Sequence, residues 1–187
     1  MKTTISPRQK GITLVELMVA MVISLILLAG VSQIFISNRE TYRIQNNLAR
    51  LQENARFAID LLRSDLSMAG FPDGFDPFDV ANTNDTSLAA RLQGPDCEGN
   101  LGAGTIVKTY TVTDTSLTCN GIPLVDGIQA MTFVYGEDTD DDREAERYVL
   151  APGANRIVSV RLTLTAIDPD LGFTRTFVTT IPLRNVQ

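Results

Sequence analysis

The stretch that decides the fold runs from Gly11 to Ile36 and reads GITLVELMVAMVISLILLAGVSQIFI. The 25 residues from Ile12 to Ile36 carry a single formal charge, which is at Glu16. A helix of about 20 apolar residues crosses the hydrocarbon core of a bilayer, and backbone amides in lipid must bond within the segment. The sequence therefore predicts a membrane-spanning helix with one carboxylate near its start.

A short basic leader, residues 1–11, precedes the apolar stretch. A secretory signal peptide is cleaved after its apolar stretch, next to small residues. Residues 32–35, Ser-Gln-Ile-Phe, are not a site of that kind. Cleavage is therefore expected before the apolar stretch, so that the mature chain keeps its apolar end. The basic leader also predicts a cytoplasmic N-terminus, with the rest of the chain outside.

The helix is predicted to continue beyond the membrane, because no proline interrupts the chain from Ile12 to Phe71. Gly70, followed by Phe71 and a proline, provides a C-terminal stop. Apolar residues recur at steps of three and four and form one stripe on the helix. The stripe consists of Ile44, Leu48, Leu51, Ala55, Ala58, Leu62, Leu66 and Ala69. We expect the stripe to pack on the protein's own head, with a coiled coil as the alternative, and Asp65 to lie on the exposed surface.

The chain after residue 70 has the composition of turns and strands. Residues 71–104 predict an irregular connection with one helical turn near Ser87–Leu92. Four segments have strand patterns: Thr105–Thr113, Gly127–Tyr135, Ile157–Ile167 and Phe173–Leu183. An antiparallel sheet with one face on the helical stripe buries both apolar surfaces. The predicted fold class is α+β, a long N-terminal helix packed on an antiparallel β-sheet.

These patterns divide the chain into four parts. The leader is 1–11, the transmembrane helix is 12–36, the amphipathic helix is 37–70 and the β-rich head is 71–187. Within the head, Cys97 and Cys119 are the only cysteines of the chain. In an exported protein an even cysteine count predicts a disulfide; two unpaired core cysteines are the alternative.

Composition excludes several classes of function. The 187 residues contain no histidine, so a Ser-His-Asp triad, a Cys-His pair and a His-ligated zinc site are all impossible. Nothing marks a catalytic pair of carboxylates, and we expect no enzyme. Loss of Lys2, Arg8 and Lys10 with the leader leaves 13 basic and 22 acidic residues, a formal charge of −9. Such a surface does not attract phosphate backbones, so nucleic-acid binding is not expected.

The densest run of charge is Glu137–Asp142. Asp138, Asp140 and Asp142 have the alternate spacing of a calcium-binding loop. The glycine expected at the sixth position of such a loop is Arg143, and the glutamate expected at the twelfth is Val149. A solvated hairpin turn is therefore favoured over a calcium site. Arg143 and Arg147 are expected to offset the repulsion between the carboxylates.

The N-terminal pattern resembles the type IV pilin family, whose precursors are cut after a glycine and carry a glutamate at the fifth mature position. Gly11, Ile12 and Glu16 match that pattern residue by residue. The block Leu51–Gly70, LQENARFAIDLLRSDLSMAG, resembles the PilW-type minor pilins. The resemblance is closest over residues 8–70. It implies the pilin fold, cleavage after Gly11 by the prepilin peptidase and N-methylation of Ile12.

The same resemblance implies a role for Glu16 in assembly. In the family this carboxylate is thought to pair with the free amino group of a neighbouring subunit's first residue, here Ile12. A charge inside an apolar helix is costly and usually has a partner. The alternative is that an acidic residue is simply favoured by the dipole near a helix N-terminus.

The function implied by the resemblance is that of a minor pilin, which takes part in priming and assembly of a type IV pilus through lateral packing of its N-terminal helix. Its partners would be other minor pilins, the major pilin, the prepilin peptidase and the inner-membrane assembly platform. It would be a single-pass protein of the inner membrane with a periplasmic head, and part of the pilus after assembly. Two alternatives are a pseudopilin of a type II secretion system and an uncleaved, membrane-anchored adhesion module that binds calcium. No other cofactor is expected.

Overall fold

The computed structural model describes residues 11–71, 76–153 and 155–185. Within them, helix α1, Leu14–Met68, is followed by a short 3-10 turn, Val80–Asn82, and by eight strands. The strands are β1 Leu88–Pro95, β2 Leu101–Thr113, β3 Ser116–Cys119, β4 Ile122–Asp126, β5 Ile128–Asp138, β6 Arg147–Val149, β7 Arg156–Ile167 and β8 Thr174–Pro182. The predicted α+β class, with a long N-terminal helix before antiparallel strands, is confirmed.

The chain forms two compact units, one ending at Asn46 and the other beginning at Asn47. In the first unit the large apolar side chains between Ile12 and Ile36 are more than half exposed. This part of α1 is long and apolar enough to cross a membrane. The first unit therefore has the surface of a segment whose natural surroundings are lipid or other apolar helices.

In the second unit α1 buries the C-terminal part of the predicted apolar stripe. The buried members are Leu51, Ala55, Ala58, Leu62 and Leu66 of α1, together with Ala69 just after the helix. Ile44 is half-buried and Leu48 remains 36% exposed, so burial begins at Leu51, about two turns after the start of the predicted stripe. The predicted stop is confirmed, because α1 ends at Met68 and Gly70 adopts a left-handed backbone with φ of 79°. Glycine adopts this conformation without strain, which makes it the commonest residue after a helix.

The strands form two antiparallel sheets rather than the single sheet that the sequence predicts. The first has the order β1-β2-β3-β4 and the second has the order β6-β5-β7-β8. The inward side chains of β5 and β7 join the stripe of α1 in one hydrophobic core. They include Met131, Phe133, Tyr135, Val160, Leu162 and Leu164. The four predicted strand segments all correspond to observed strands, β2, β5, β7 and β8.

The helical turn predicted near Ser87–Leu92 is wrong, because this segment is strand β1. Its Leu-Ala-Ala-Arg-Leu sequence favours a helix locally. However, Leu88 pairs with Tyr110 of β2, and Leu92 pairs with Ile106. Ala89 and Ala90, on opposite faces of the strand, are both buried, and burial on two faces overrides the weak intrinsic preference of the backbone.

The structure contains the predicted disulfide between Cys97, which follows β1, and Cys119, at the end of β3. The two Cα atoms are 5.8 Å apart, and Cys119 is buried in the main core. The bridge therefore connects the loop between β1 and β2 to the third strand of the first sheet.

Replacing both Cys97 and Cys119 by serine is expected to lower the free energy of unfolding by about 3 kcal/mol. The bridge closes the loop between the two cysteines and so lowers the conformational entropy of the unfolded chain. Chemical denaturation of the full-length chain in detergent, followed by tyrosine fluorescence, measures the change. Reduction of the unsubstituted protein should have a comparable effect. Equal stability of the oxidised and reduced proteins would contradict a stabilising role for the bridge.

Candidate functional site: the helix N-terminus and the acidic turn

The N-terminus of α1 is capped by Thr13, a residue that the predictions from sequence do not include. The amide of Glu16 donates a hydrogen bond to Thr13 Oγ1 at 3.2 Å, and the amide of Leu17 donates to the Thr13 carbonyl at 3.2 Å. Threonine followed three residues later by glutamate is the sequence signature of a capping box. This signature was available in the sequence. It places Glu16 in the first turn of the helix, at the positive end of the dipole.

Glu16 is exposed on α1 and, among the described residues, lies in no ion pair. Gly11 and Ile12 are exposed ahead of the helix, and among the described residues no atom beyond the chain neighbours of Gly11 lies within 4 Å of where its Cβ would be. The rest of the predicted leader lies outside the described residues.

The acidic turn lies between β5 and β6 and brings the three predicted carboxylates together. Asp138, Asp140 and Asp142 meet Glu146, and one oxygen from each of the four lies within 4.8 Å of the others. Glu146 is an addition to the predicted set. Every second residue from Asp138 to Glu146 is acidic, so the sequence pattern already indicates that Glu146 belongs to the set. Val149, at the position expected for a twelfth-position ligand, is in strand β6 and offers no side-chain oxygen.

Asp138 holds the turn together from inside the protein. Its side chain is fully buried, and its Oδ2 accepts hydrogen bonds from Arg156 Nη2 at 2.7 Å and from the Arg143 amide at 3.0 Å. Its Oδ1 accepts from the Asp141 amide at 2.7 Å. Burial alone would raise the pKa of Asp138, but the bonds from Arg156 and from the two amides outweigh burial and lower the pKa below its usual value.

The basic partners of the turn differ in part from those predicted. Arg147 does pair with a carboxylate, that of Glu137, at 2.5 Å. The Arg143 guanidinium makes no ion pair within the part of the chain that the structure describes. The second positive charge that offsets the carboxylates comes instead from Arg156 of β7. Its guanidinium pairs with Asp138 and also lies 2.7 Å from an oxygen of Asp141. Arg156 was not identifiable from spacing, because it approaches the turn from another strand.

The backbone of the turn resembles that of a calcium loop more than its sequence does. Arg143 has φ of 69°, the left-handed conformation that glycine adopts freely and that the sixth position of such a loop requires. The non-glycine residue is held there by the hydrogen bond from its amide to Asp138. Arg143 therefore adopts the same left-handed backbone conformation as the expected glycine, although this conformation costs more free energy for arginine than for glycine.

The head is expected to lose stability in acid, because hydrogen bonds lower the pKa of both Glu137 and Asp138 in the folded state. Asn155 and Arg147 lower the pKa of Glu137, and Arg156 and two amides lower that of Asp138. A group with a lowered folded pKa stabilises the fold above its unfolded pKa of about 4, and this contribution is lost as the pH falls through the folded value. The melting temperature of the full-length chain in detergent should therefore fall as the pH is lowered below about 4.

The variant Asp138→Asn provides the test of this acid dependence. It should melt at a lower temperature at neutral pH and show a shallower decline in acid, because one titrating group is gone. The matched change Asp140→Asn, at an exposed carboxylate, should leave the profile close to that of the unsubstituted protein. Parallel acid profiles for Asp138→Asn and the unsubstituted protein would exclude Asp138 as a source of the pH dependence.

A buried polar cluster anchors α1 to the first sheet. Lys108 of β2 donates to Asp65 Oδ2 at 2.9 Å, and the side chains of the pair are only 7% and 8% exposed. The Tyr110 hydroxyl donates to the same oxygen. Burial, together with this bond, raises the pKa of Tyr110. The prediction that Asp65 lies on the exposed surface is therefore wrong, because a lysine on a neighbouring strand compensates its charge.

Two family models match the chain. The prokaryotic N-terminal methylation motif matches residues 6–32, and the Type IV Pilus-assembly protein W family matches residues 98–176. The resemblance to PilW-type pilins that the sequence suggests is confirmed, although the PilW match lies in the head rather than in Leu51–Gly70. Among curated proteins and among solved structures, no significant match is found. The methylation motif and the apolar helix together fit a membrane-anchored pilin.

Proposed function

We propose, on the basis of these two matches, that the chain is a minor pilin that takes part in priming and assembly of a type IV pilus. The matches support a role in pilus assembly in general. The observation that carries the finer proposal is the exposed apolar surface of α1 up to Ile36, whose large apolar side chains are more than half exposed. Such a surface is stable in lipid or against similar helices, so the same segment serves as membrane anchor and as packing surface. The role is structural, and we propose no enzymatic activity.

Processing would prepare this segment for assembly. We propose that the leader 1–11 is removed by the prepilin peptidase and that the Ile12 amine is then methylated. The new positive terminus would pair with Glu16 of a neighbouring subunit, since each charge offsets the cost of burying the other. Helices would thereby be held in one register during lateral packing.

The remaining parts of the chain follow from this arrangement. Residues 12–36 would span the inner membrane with the N-terminus on the cytoplasmic side, residues 37–70 would form the stem of the head, and residues 71–187 would lie in the periplasm and later in the pilus. Other minor pilins, the major pilin and the inner-membrane assembly platform are the proposed partners.

Piliation and protein export, assayed together in a deletion strain, test the proposal. A minor pilin predicts loss of surface pili and of twitching with normal export, and re-expression of the chain should restore both. Loss of export with normal piliation would instead identify a pseudopilin of a type II secretion system. Normal piliation and normal export would contradict both assembly functions.

We propose calcium binding at the acidic turn as a second property, one that an adhesion module would share. The convergence of four carboxylates within 4.8 Å supports it, as does the glycine-like backbone of Arg143. Asp138 Oδ1 accepts one hydrogen bond, so it keeps a lone pair for a ligand. The ion pair between Arg156 and Asp138 Oδ2 competes with a cation, so we expect weak affinity.

Calcium is expected to raise the melting temperature of the full-length chain in detergent. At a concentration tenfold above the dissociation constant the gain in stability would be about 1.4 kcal/mol. The variant Asp140→Asn/Asp142→Asn should lose the response. The matched variant Glu53→Gln/Asp60→Asn, which removes two exposed carboxylates of α1, should keep it. An unchanged melting temperature of the unsubstituted protein would rule out the site.

A further inference from the structure

The apolar segment of α1 is followed at once by an aromatic and basic patch. Phe35, Arg39, Tyr42 and Arg43 line one shallow concavity on the helix surface. With 3.6 residues per turn, the four side chains fall within an arc of about 100°. Phe35 is 60% exposed and Tyr42 is 65% exposed. We call these four residues the arginine patch.

The two arginines of the patch are available for an anionic ligand. Arg39 lies over the ring of Phe35, with its guanidinium carbon 5.1 Å from the ring centroid, a cation–π contact. Among the described residues, neither Arg39 nor Arg43 has a carboxylate oxygen within 4.0 Å. Glu40 lines the same concavity, but its carboxylate forms no ion pair with the residues that the structure describes, and two arginines against one glutamate leave the concavity with a net positive charge.

The arginine patch lies at the depth of lipid phosphates if Ile36 ends the membrane-embedded segment. At 1.5 Å per residue, Arg39 and Arg43 are about 5 and 11 Å beyond Ile36. The headgroup layer on each side of the hydrocarbon is roughly 5–8 Å thick. Helical side chains tilt toward the N-terminus, here toward the bilayer, as the contact of Arg39 with Phe35 shows. Both guanidinium groups therefore reach the headgroup layer.

The chemistry of the patch favours a ligand whose phosphate is not accompanied by a positive charge in the same headgroup. A planar guanidinium binds phosphate through two parallel hydrogen bonds, and aromatic residues are enriched at the membrane interface. Membrane proteins usually carry their excess of arginine and lysine on the cytoplasmic side. The proposed orientation of the helix places these two arginines on the opposite side, so that orientation does not explain their presence. An anionic headgroup matches the two positive charges better than a zwitterionic one does.

We propose that the arginine patch binds the phosphate of an anionic phospholipid in the outer leaflet of the inner membrane. The contact would hold the subunit at a fixed depth before its helix leaves the bilayer for a filament. This inference rests on the proposed membrane insertion of residues 12–36.

The experiment uses the full-length mature chain in phospholipid nanodiscs that contain phosphatidylcholine and phosphatidylglycerol. Spin-labelled phosphatidylglycerol and spin-labelled phosphatidylcholine report how strongly each lipid is retained at the protein surface. The unsubstituted chain should retain phosphatidylglycerol preferentially. The variant Arg39→Gln/Arg43→Gln should lose this preference, by up to about fivefold for each arginine.

Two further variants separate recognition from net charge. Arg50→Gln/Arg56→Gln removes two exposed arginines farther along α1 and should leave the preference unchanged. Arg39→Lys/Arg43→Lys keeps the charge without the planar fork and should retain part of the preference. Equal effects of the two glutamine variants would show a general charge effect and overturn the proposed site.

The remaining outcomes distinguish the ligand and the underlying assumption. The absence of a lipid preference in the unsubstituted chain would overturn the inference. Displacement of the lipid by excess inorganic phosphate would also overturn it, because it would identify a free anion as the ligand. Resistance to alkaline extraction from membranes measures insertion separately. A chain that is extracted contradicts the proposed membrane-anchored function, whereas an inserted chain without lipid preference contradicts this inference alone.

Discussion

Replacing Asp65 by alanine is expected to lower the free energy of unfolding by about 3–5 kcal/mol, because it leaves the buried charge of Lys108 without a partner. The lysine ammonium and the Tyr110 hydroxyl both donate to Asp65 Oδ2. Chemical denaturation of the full-length chain in detergent measures the loss. It should exceed the effect of removing the disulfide.

Asp60→Ala is the matched control for this prediction. Asp60 lies on the same helix, its side chain is 56% exposed, and its two arginine contacts are both 3.8 Å long. Exposed pairs of this kind contribute about 0–1 kcal/mol. The double variant Asp65→Leu/Lys108→Met should be more stable than Asp65→Ala, because it leaves no buried charge unpaired. Equal stability of Asp65→Ala and Asp60→Ala would contradict the anchoring role of the cluster.

The second large effect concerns assembly. Replacing Glu16 by alanine is expected to reduce incorporation of the subunit into pili by roughly tenfold or more, the equivalent of a charge-assisted hydrogen bond of about 1.5–3 kcal/mol. The number of surface pili in a strain that carries only the variant measures the effect. Membrane insertion and the melting temperature of the head should not change, because Glu16 lies outside the head unit.

Two control variants separate the roles of this side chain. Glu40→Ala removes the next carboxylate along α1, beyond the apolar segment, and should leave piliation normal. Glu16→Gln keeps a side chain suited to the capping box but removes the charge. Loss of pili with Glu16→Gln therefore identifies charge pairing as the function of Glu16. Normal piliation with Glu16→Gln would show that capping of the helix is sufficient.

The parts of the fold that the sequence predicts are those governed by local pattern. Gly70 ends the helix, and the alternation over Ile157–Ile167 predicts strand β7, because both signals arise within a few residues. Strand β1 was missed because its alanines and leucines favour a helix unless contacts from distant segments are known. Short strands such as β3, Ser116–Cys119, are too brief to show a period.

The site was predictable to the same extent. The acidic spacing predicts a turn with converging carboxylates, and the structure adds Glu146 from the same turn. Arg156 and Lys108 were missed because their partners are 18 and 43 positions away in the sequence. Pairing of this kind depends on which strands become neighbours. No periodicity within one segment contains that information.

The identity of the first residue of the native chain tests the central claim most directly. Intact mass and N-terminal sequencing of the protein isolated from its own membranes should give a chain that begins at Ile12, with a methylated amine and the apolar segment retained. A chain that still carries the leader, or one that begins beyond Ile36, would contradict assembly through the N-terminal helix.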